Sequence, residues 1–121
     1  VTIPEELPVE ETFELRNRLT EELGLPLGRL IINSTPTDLD PHAKRLIADL
    51  EQQEVVKDPV MHQLQRAGKM RMQQSRAAEP SLRRAREIDP DAIVLPRLHV
   101  GQPGRQALEL LADTLVEAEL T

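Results

Sequence analysis

Along the chain, short aliphatic runs alternate with longer stretches in which apolar side chains return every three or four positions. Val1, Thr2 and Ile3 form a β-branched run closed by Pro4. Similar runs recur at residues 29–33 and, stopped by Pro96, at residues 92–95. A short continuous apolar run of this kind is the pattern of a strand covered on both faces. Phe13, Leu15, Leu19 and Leu23 recur at near-helical spacing and predict a helix over residues 9–23. Glu10, Glu11 and Glu14 in its first turns suit the positive end of the helix dipole, and Gly24 is placed to close it in the left-handed conformation. Asp40-Pro41 and Asp58-Pro59 each join a capping carboxylate to a proline at the first helical position. They predict one helix from Asp40 to Gln53 and a longer one from Asp58, kinked or restarted at Pro80. Ala107, Leu108, Leu111, Leu115 and Val116 predict a last amphipathic helix, with Glu109, Asp113 and Glu117 on its charged side.

Strand runs separated by helices need crossover connections, so the expected fold class is α/β, a parallel sheet in layers with flanking helices. A length of 121 residues fits one unit, with a helical segment over residues 41–88 between strands.

Composition narrows the chemistry. Apolar residues make up 39% of the chain but aromatic ones 1%, Phe13 alone, so the core must be aliphatic and no aromatic platform exists for stacking nucleic-acid bases. A net charge of −6 has the wrong sign for phosphate-backbone binding, and nucleic acid is not an expected partner. Cysteine is absent, which removes disulfides, thiolate metal sites and thiol nucleophiles, and fits a reducing, cytoplasmic setting. No apolar run has bilayer-spanning length, so no membrane insertion is expected. His42, His62 and His99 lack any short ligand spacing. Met61, Met70 and Met72 read as adaptable core filling. Residues 60–86 carry Arg66, Lys69, Arg71, Arg76, Arg83, Arg84 and Arg86 against Glu79, a basic helix that reads as a solvated face or as a surface for an acidic partner. The opening strand-like run without an initiator Met reads as cut from a longer protein.

Open parallel sheets bind ligands beyond the carboxyl ends of their strands. Pro4-Glu5, Asn33 and Pro96 all stand at such ends. A side-chain amide at such an end, as at Asn33, offers both a donor and an acceptor. Its alternative role is local, turning the chain with Ser34, Thr35 and Pro36. Glu5 has an alternative too, serving the dipole of the helix that follows.

The succession Val1-Thr2-Ile3-Pro4-Glu5, Pro8-Val9-Glu10-Glu11-Thr12 and Leu30-Ile31-Ile32-Asn33 resembles the C-terminal half of the ArsA-type ATPases, the arsenite-pump and tail-anchored-protein-targeting family. Met70 to Gln74, Ile93 to Leu98 and Gly104 to Leu115 continue the resemblance over nearly the whole chain. It implies the C-terminal portion of a P-loop NTPase domain that uses ATP with Mg²⁺. In it Asn33 reads adenine, Pro96, Arg97 and Leu98 form the loop over the ring, and Glu5 is a carboxylate touching nucleotide, with a dimer interface as one place for that contact. Arg97 departs from the apolar side chain the family leads one to expect, although a guanidinium can stack on a base. The Gly-rich loop with Lys and Ser or Thr that holds phosphates is absent, and Gly101-Gln102-Pro103-Gly104 lacks the Lys and the hydroxyl. The resemblance therefore implies an adenine-side portion whose partner is the N-terminal remainder of the ATPase, with a homodimer as a further association. Hydrolysis by this chain alone is not expected. The other reading is a non-enzymatic interaction module built on the basic helix.

Overall fold

The computed structural model describes residues 1–37, 39–52, 58–98, 101 and 104–120. Among them the element order is α1 (Glu6–Glu21), β1 (Ile31–Thr35), α2 (Pro41–Gln52), α3 (Pro59–Ile88), β2 (Ile93–Pro96) and α4 (Gly104–Leu120). The fold is mixed α/β, mostly helical, with a small parallel sheet. The chain groups into two compact units, Val1–Pro36 with Ala78–Thr121, and Thr37–Ala77.

In the first unit β1 lies between two parallel neighbours. β2 pairs with it in the register Ile31 to Ile93, Ile32 to Val94 and Thr35 to Pro96. On the other side a single parallel bridge joins Thr2 to Ile32, so the run at residues 1–3 contributes a bridge instead of a full strand. Thr2 spends both backbone groups on β1, its N–H donating to the Ile31 carbonyl and its C=O accepting from Asn33 N–H, each at 2.8 Å. Pro4 then breaks the run, since it carries no N–H for a ladder.

α1 starts earlier than its apolar spacing predicts. Glu5 is the extended N-cap residue, and Val9 N–H donates to the Glu5 carbonyl at 3.1 Å, so Pro8 lies inside the first turn. A missing N–H costs nothing there. The helix ends at Glu21, and beyond it Gly24, with a φ of 62° and its N–H donating to the Thr20 carbonyl, makes the expected left-handed turn. Of the residues that suggested the helix, Phe13 and Leu19 are half-buried, while Leu15 and Leu23 are exposed.

The core of this unit is Val9 from α1, Leu30 and Ile32 from the β1 region, and Ala85 from α3, with Leu82, Ile88, Ala92 and Val94 packed around it. It is aliphatic, as the composition requires. Ile32 and Ala85 are wholly enclosed. Arg84, one residue away, ties α3 to α1: its guanidinium makes a two-pronged contact with the Glu10 carboxylate, at 2.7 and 3.3 Å, and lies 4.6 Å from the centroid of the Phe13 ring. Asp89, just beyond α3, accepts from Leu30 N–H at 2.6 Å and from Asp91 N–H at 3.1 Å. Arg16 approaches the same carboxylate at 3.9 Å, and its guanidinium also donates to the Gly28 carbonyl. Asp89 thereby fixes the entry to β1 and the turn into β2 together. α4 packs along β2, with Arg29 donating to the Ala118 carbonyl at 2.8 Å.

In the second unit Asp40 accepts from Ala43 N–H and Asp58 from Val60 N–H, so both Asp-Pro pairs cap helices as their sequence requires. Gln53, the expected end of the first of these helices, lies outside the described residues. The helices meet where Ile47 packs on Gly68: a Cβ at position 68 would stand 2.8 Å from the Ile47 Cγ1. Gln65 adds a bond to the Leu50 carbonyl at 2.9 Å. Met70 is exposed, so it does not fill a core, while Met61 and Met72 are half-buried. α3 is a single helix through Pro80, which therefore does not restart it; the division between units falls just before this proline, at Ala77 and Ala78. No helix among the described residues is long and apolar enough to cross a membrane.

The Arg84 hydrogen bond holds the Glu10 carboxyl below the ordinary glutamate value, more strongly than its partial burial raises it. A carboxyl depressed in the folded state adds stability above its unfolded value of about 4.3 and loses it as pH falls through the folded value. An NMR pH titration of the Glu10 side-chain carbon should place its midpoint below that ordinary value. In Arg84→Met the midpoint should return to it.

Candidate functional site

The parallel register gathers the strand ends. Because Thr2 stands beside Ile32, Pro4 and Glu5 follow at the carboxyl end of the first run; because Thr35 stands beside Pro96, Arg97 and Leu98 leave β2 where β1 ends. Asn33, Ser34 and Thr35 lie between them. The sequence candidates therefore share one edge of one unit.

The edge is not a regular strand end. The pairing of β1 and β2 is irregular between Ile32 and Thr35, and Ser34 has a φ of 58°, the only positive value among described residues other than glycine. For an L-residue this conformation costs about 1–2 kcal/mol. Irregularities of this kind turn side chains out of the ladder and gather beside functional sites. Two bonds hold it. The Asn33 Oδ1 accepts from Ser34 N–H at 2.8 Å, and the Ser34 Oγ accepts from Arg97 Nε at 3.2 Å. Arg97 N–H donates to the Thr35 carbonyl at 2.8 Å, which locks the exit of β2 to the end of β1.

Asn33 and Arg97 are thus brought together through Ser34, both side chains exposed. Pro96 and Leu98 are half-buried beside them. Glu5 stands apart: exposed, making no cap bond with its side chain, and joined to neither Asn33 nor Arg97 by a hydrogen bond or ion pair among the described residues. The local role of Asn33 that its neighbours suggested is therefore realised at its oxygen.

Asn33 also borders an open groove of about 380 Å³ lined by Val1, Thr2, Ile3, Pro8, Glu11, Thr12 and Leu15. This lies at the low end of the volumes that hold small organic ligands, roughly 300–1,000 Å³. The acid on the groove is Glu11, not Glu5. Thr2 and Thr35 each bury a hydroxyl with no hydrogen-bond partner among the described residues, at 6% and 8% exposure. Ser34, Thr35 and Glu11 were not among the sequence candidates. The Asn33-Ser34-Thr35-Pro36 run carried the signal for the first two, as a polar cluster closing an apolar strand, while nothing in the spacing of α1 marked Glu11 above its neighbours.

Elsewhere, His42 and His62 are exposed, and His99 lies outside the described residues. No three His, Asp or Glu side chains among the described residues converge as metal ligands. On the basic helix Arg66, Lys69, Arg76, Arg83 and Arg86 are exposed, whereas Arg84 is occupied by Glu10, Glu87 and Phe13.

No protein-family model, curated protein or solved structure matches the chain.

Glycine adopts the Ser34 conformation without steric cost but loses more backbone entropy on folding. Ser34→Gly should raise the unfolding midpoint in urea, by up to about 1 kcal/mol in stability, while freeing the Arg97 side chain.

Proposed function

We propose that this chain is the C-terminal portion of an ArsA-type ATPase domain of the P-loop NTPase class, and that it supplies the base-contacting, adenine side of the nucleotide site. The observation that carries this reading is the common edge of Glu5, Asn33 and Pro96 to Leu98, at the carboxyl ends of parallel segments, where open α/β sheets take their ligands. The exposed Asn33 supplies a polar contact to the base edge, and Pro96 and Leu98 give apolar surface to its ring. Arg97 brings a planar cation able to stack on a base in place of the apolar contact.

The phosphate-binding loop and Mg²⁺ belong to the N-terminal remainder of the ATPase, which is the principal partner; a homodimer is the further association in which Glu5 finds its role. Among the described residues no three His, Asp or Glu side chains converge, and no step through the metal is assigned to this chain. Phosphoryl transfer depends on neutralising phosphate charge, so this portion binds and orients the base and leaves hydrolysis to the remainder. A cytoplasmic location accompanies the reading.

The alternative, a non-enzymatic interaction module, draws on the exposed cations of α3. Arg83→Glu with Arg86→Glu would abolish an acidic partner's binding under that alternative and leave nucleotide affinity untouched under the first.

Asn33→Ala in the complete ATPase should weaken ATP and ADP binding about tenfold by calorimetry, the effect of one hydrogen bond to the base. Unchanged affinity would remove Asn33 from the site.

A further inference from the structure

The run at residues 1–3 is the outermost parallel segment on its side of β1. Thr2 spends both its backbone groups on β1. In a parallel ladder a strand bonds each neighbour through alternate residues, so the next donor, Ile3 N–H, belongs to the outer edge. It has no partner among the described residues. A free donor in an extended run beside aliphatic side chains is a template on which a further strand adds.

The groove of about 380 Å³ lies along this edge, against α1. Its walls are mostly apolar: Val1 and Ile3 on the sheet side, Pro8 and Leu15 on the helix. Val1 is 86% exposed and Leu15 56%, so large aliphatic side chains stand open on both sides. Surfaces of this kind are covered by another element. Glu11 is the one charged side chain among the lining residues; it is exposed, and no ion pair among the described residues holds it. A segment filling the groove takes this carboxylate out of water, which is costly unless a cation arrives with it. Residues 1–3 contain no Lys or Arg, so a second copy pairing edge to edge brings no cation on its own run.

We propose that this groove seats an extended segment of the N-terminal remainder of the ATPase, which joins the sheet at Ile3 N–H, lays aliphatic side chains on Ile3, Pro8 and Leu15, and sets a Lys or Arg against Glu11. The inference rests on the reading of this chain as the C-terminal portion of a longer ATPase, and adds where the remainder attaches and by what chemistry. Residues 1–3, which make a single bridge in the chain alone, then become an interior strand with partners on both edges.

The test compares the chain alone with the complete ATPase, by hydrogen exchange resolved to single amides and by urea unfolding. In the chain alone the Ile3 amide is expected to exchange freely, while those of Thr2 and Asn33, both bonded, are protected. In the complete ATPase exchange at Ile3 should slow about a hundredfold or more. Leu15→Gln and Glu11→Lys should each lower the unfolding midpoint of the complete ATPase more than that of the chain alone. Leu23→Gln, at an exposed leucine outside the groove, should show no such difference. Equally fast exchange at Ile3 in both proteins, or a Leu15→Gln effect no larger in the complete ATPase than in the chain alone, overturns the proposal. ATP affinity of the same complete protein keeps the two failures apart. Protection of Ile3 in a protein that binds no ATP retains the docking and removes the nucleotide reading; ATP binding with Ile3 unprotected does the reverse.

Discussion

β1 is held on both sides at once, and the rest of the first unit depends on that position. Thr2 bridges to Ile32 from one side, Val94 faces it from the other, and the Ile32 side chain is completely enclosed by Val9, Leu30 and Ala85 and their neighbours. A one-residue slip in this pairing would turn Ile32 away from the core and bring Asn33 inward, exchanging a fully buried aliphatic side chain for an amide without partners. The register is therefore fixed by burial, and Asp89 reinforces it at the amino end of β1 by accepting from Leu30 N–H. With the register set, the level at which each strand stops is set too, and the polar residues that follow come together without any contact having been required to draw them there.

The carboxyl edge is where this regular pairing stops. Between Ile32 and Thr35 the ladder loses step, Ser34 takes a left-handed backbone, and the resulting cost is offset by bonds from its own N–H to Asn33 and from Arg97 to its hydroxyl. These bonds occupy the Oδ1 of Asn33 and the Nε of Arg97. The left-handed residue thus stands between Asn33 and Arg97 and is bonded to both.

Much of the fold is legible in the sequence because it follows from local chemistry. The Asp-Pro caps at residues 40 and 58, the left-handed cap at Gly24 and the two aliphatic strands all come from residues whose conformational preferences are strong on their own. What local pattern misses depends on partners distant in the chain. Apolar spacing began the first helix at residue 9, yet α1 begins at Glu6 and takes Pro8 into its first turn. Met70 resembled core material by composition and is exposed, since α2 meets α3 at Gly68 instead. At the site, the positions of Asn33 and Pro96 to Leu98 could be read from strand ends, but the orientation of the Asn33 amide could not: it depends on the backbone of Ser34 and on the long-range contact with Arg97. Glu5 satisfied the spacing and lies at the right edge, yet Glu11 lines the groove, because helical geometry turns that residue toward Thr2 and Asn33.

The central claim is that a purine base docks on the carboxyl edge of the parallel segments. Intermolecular NOEs from the base protons of a bound nucleotide test it directly. The account predicts NOEs to Asn33, Arg97 and Leu98 and none to Leu30 or Asp91 at the opposite edge. NOEs confined to that opposite edge, or to the exposed arginines of α3, would contradict it.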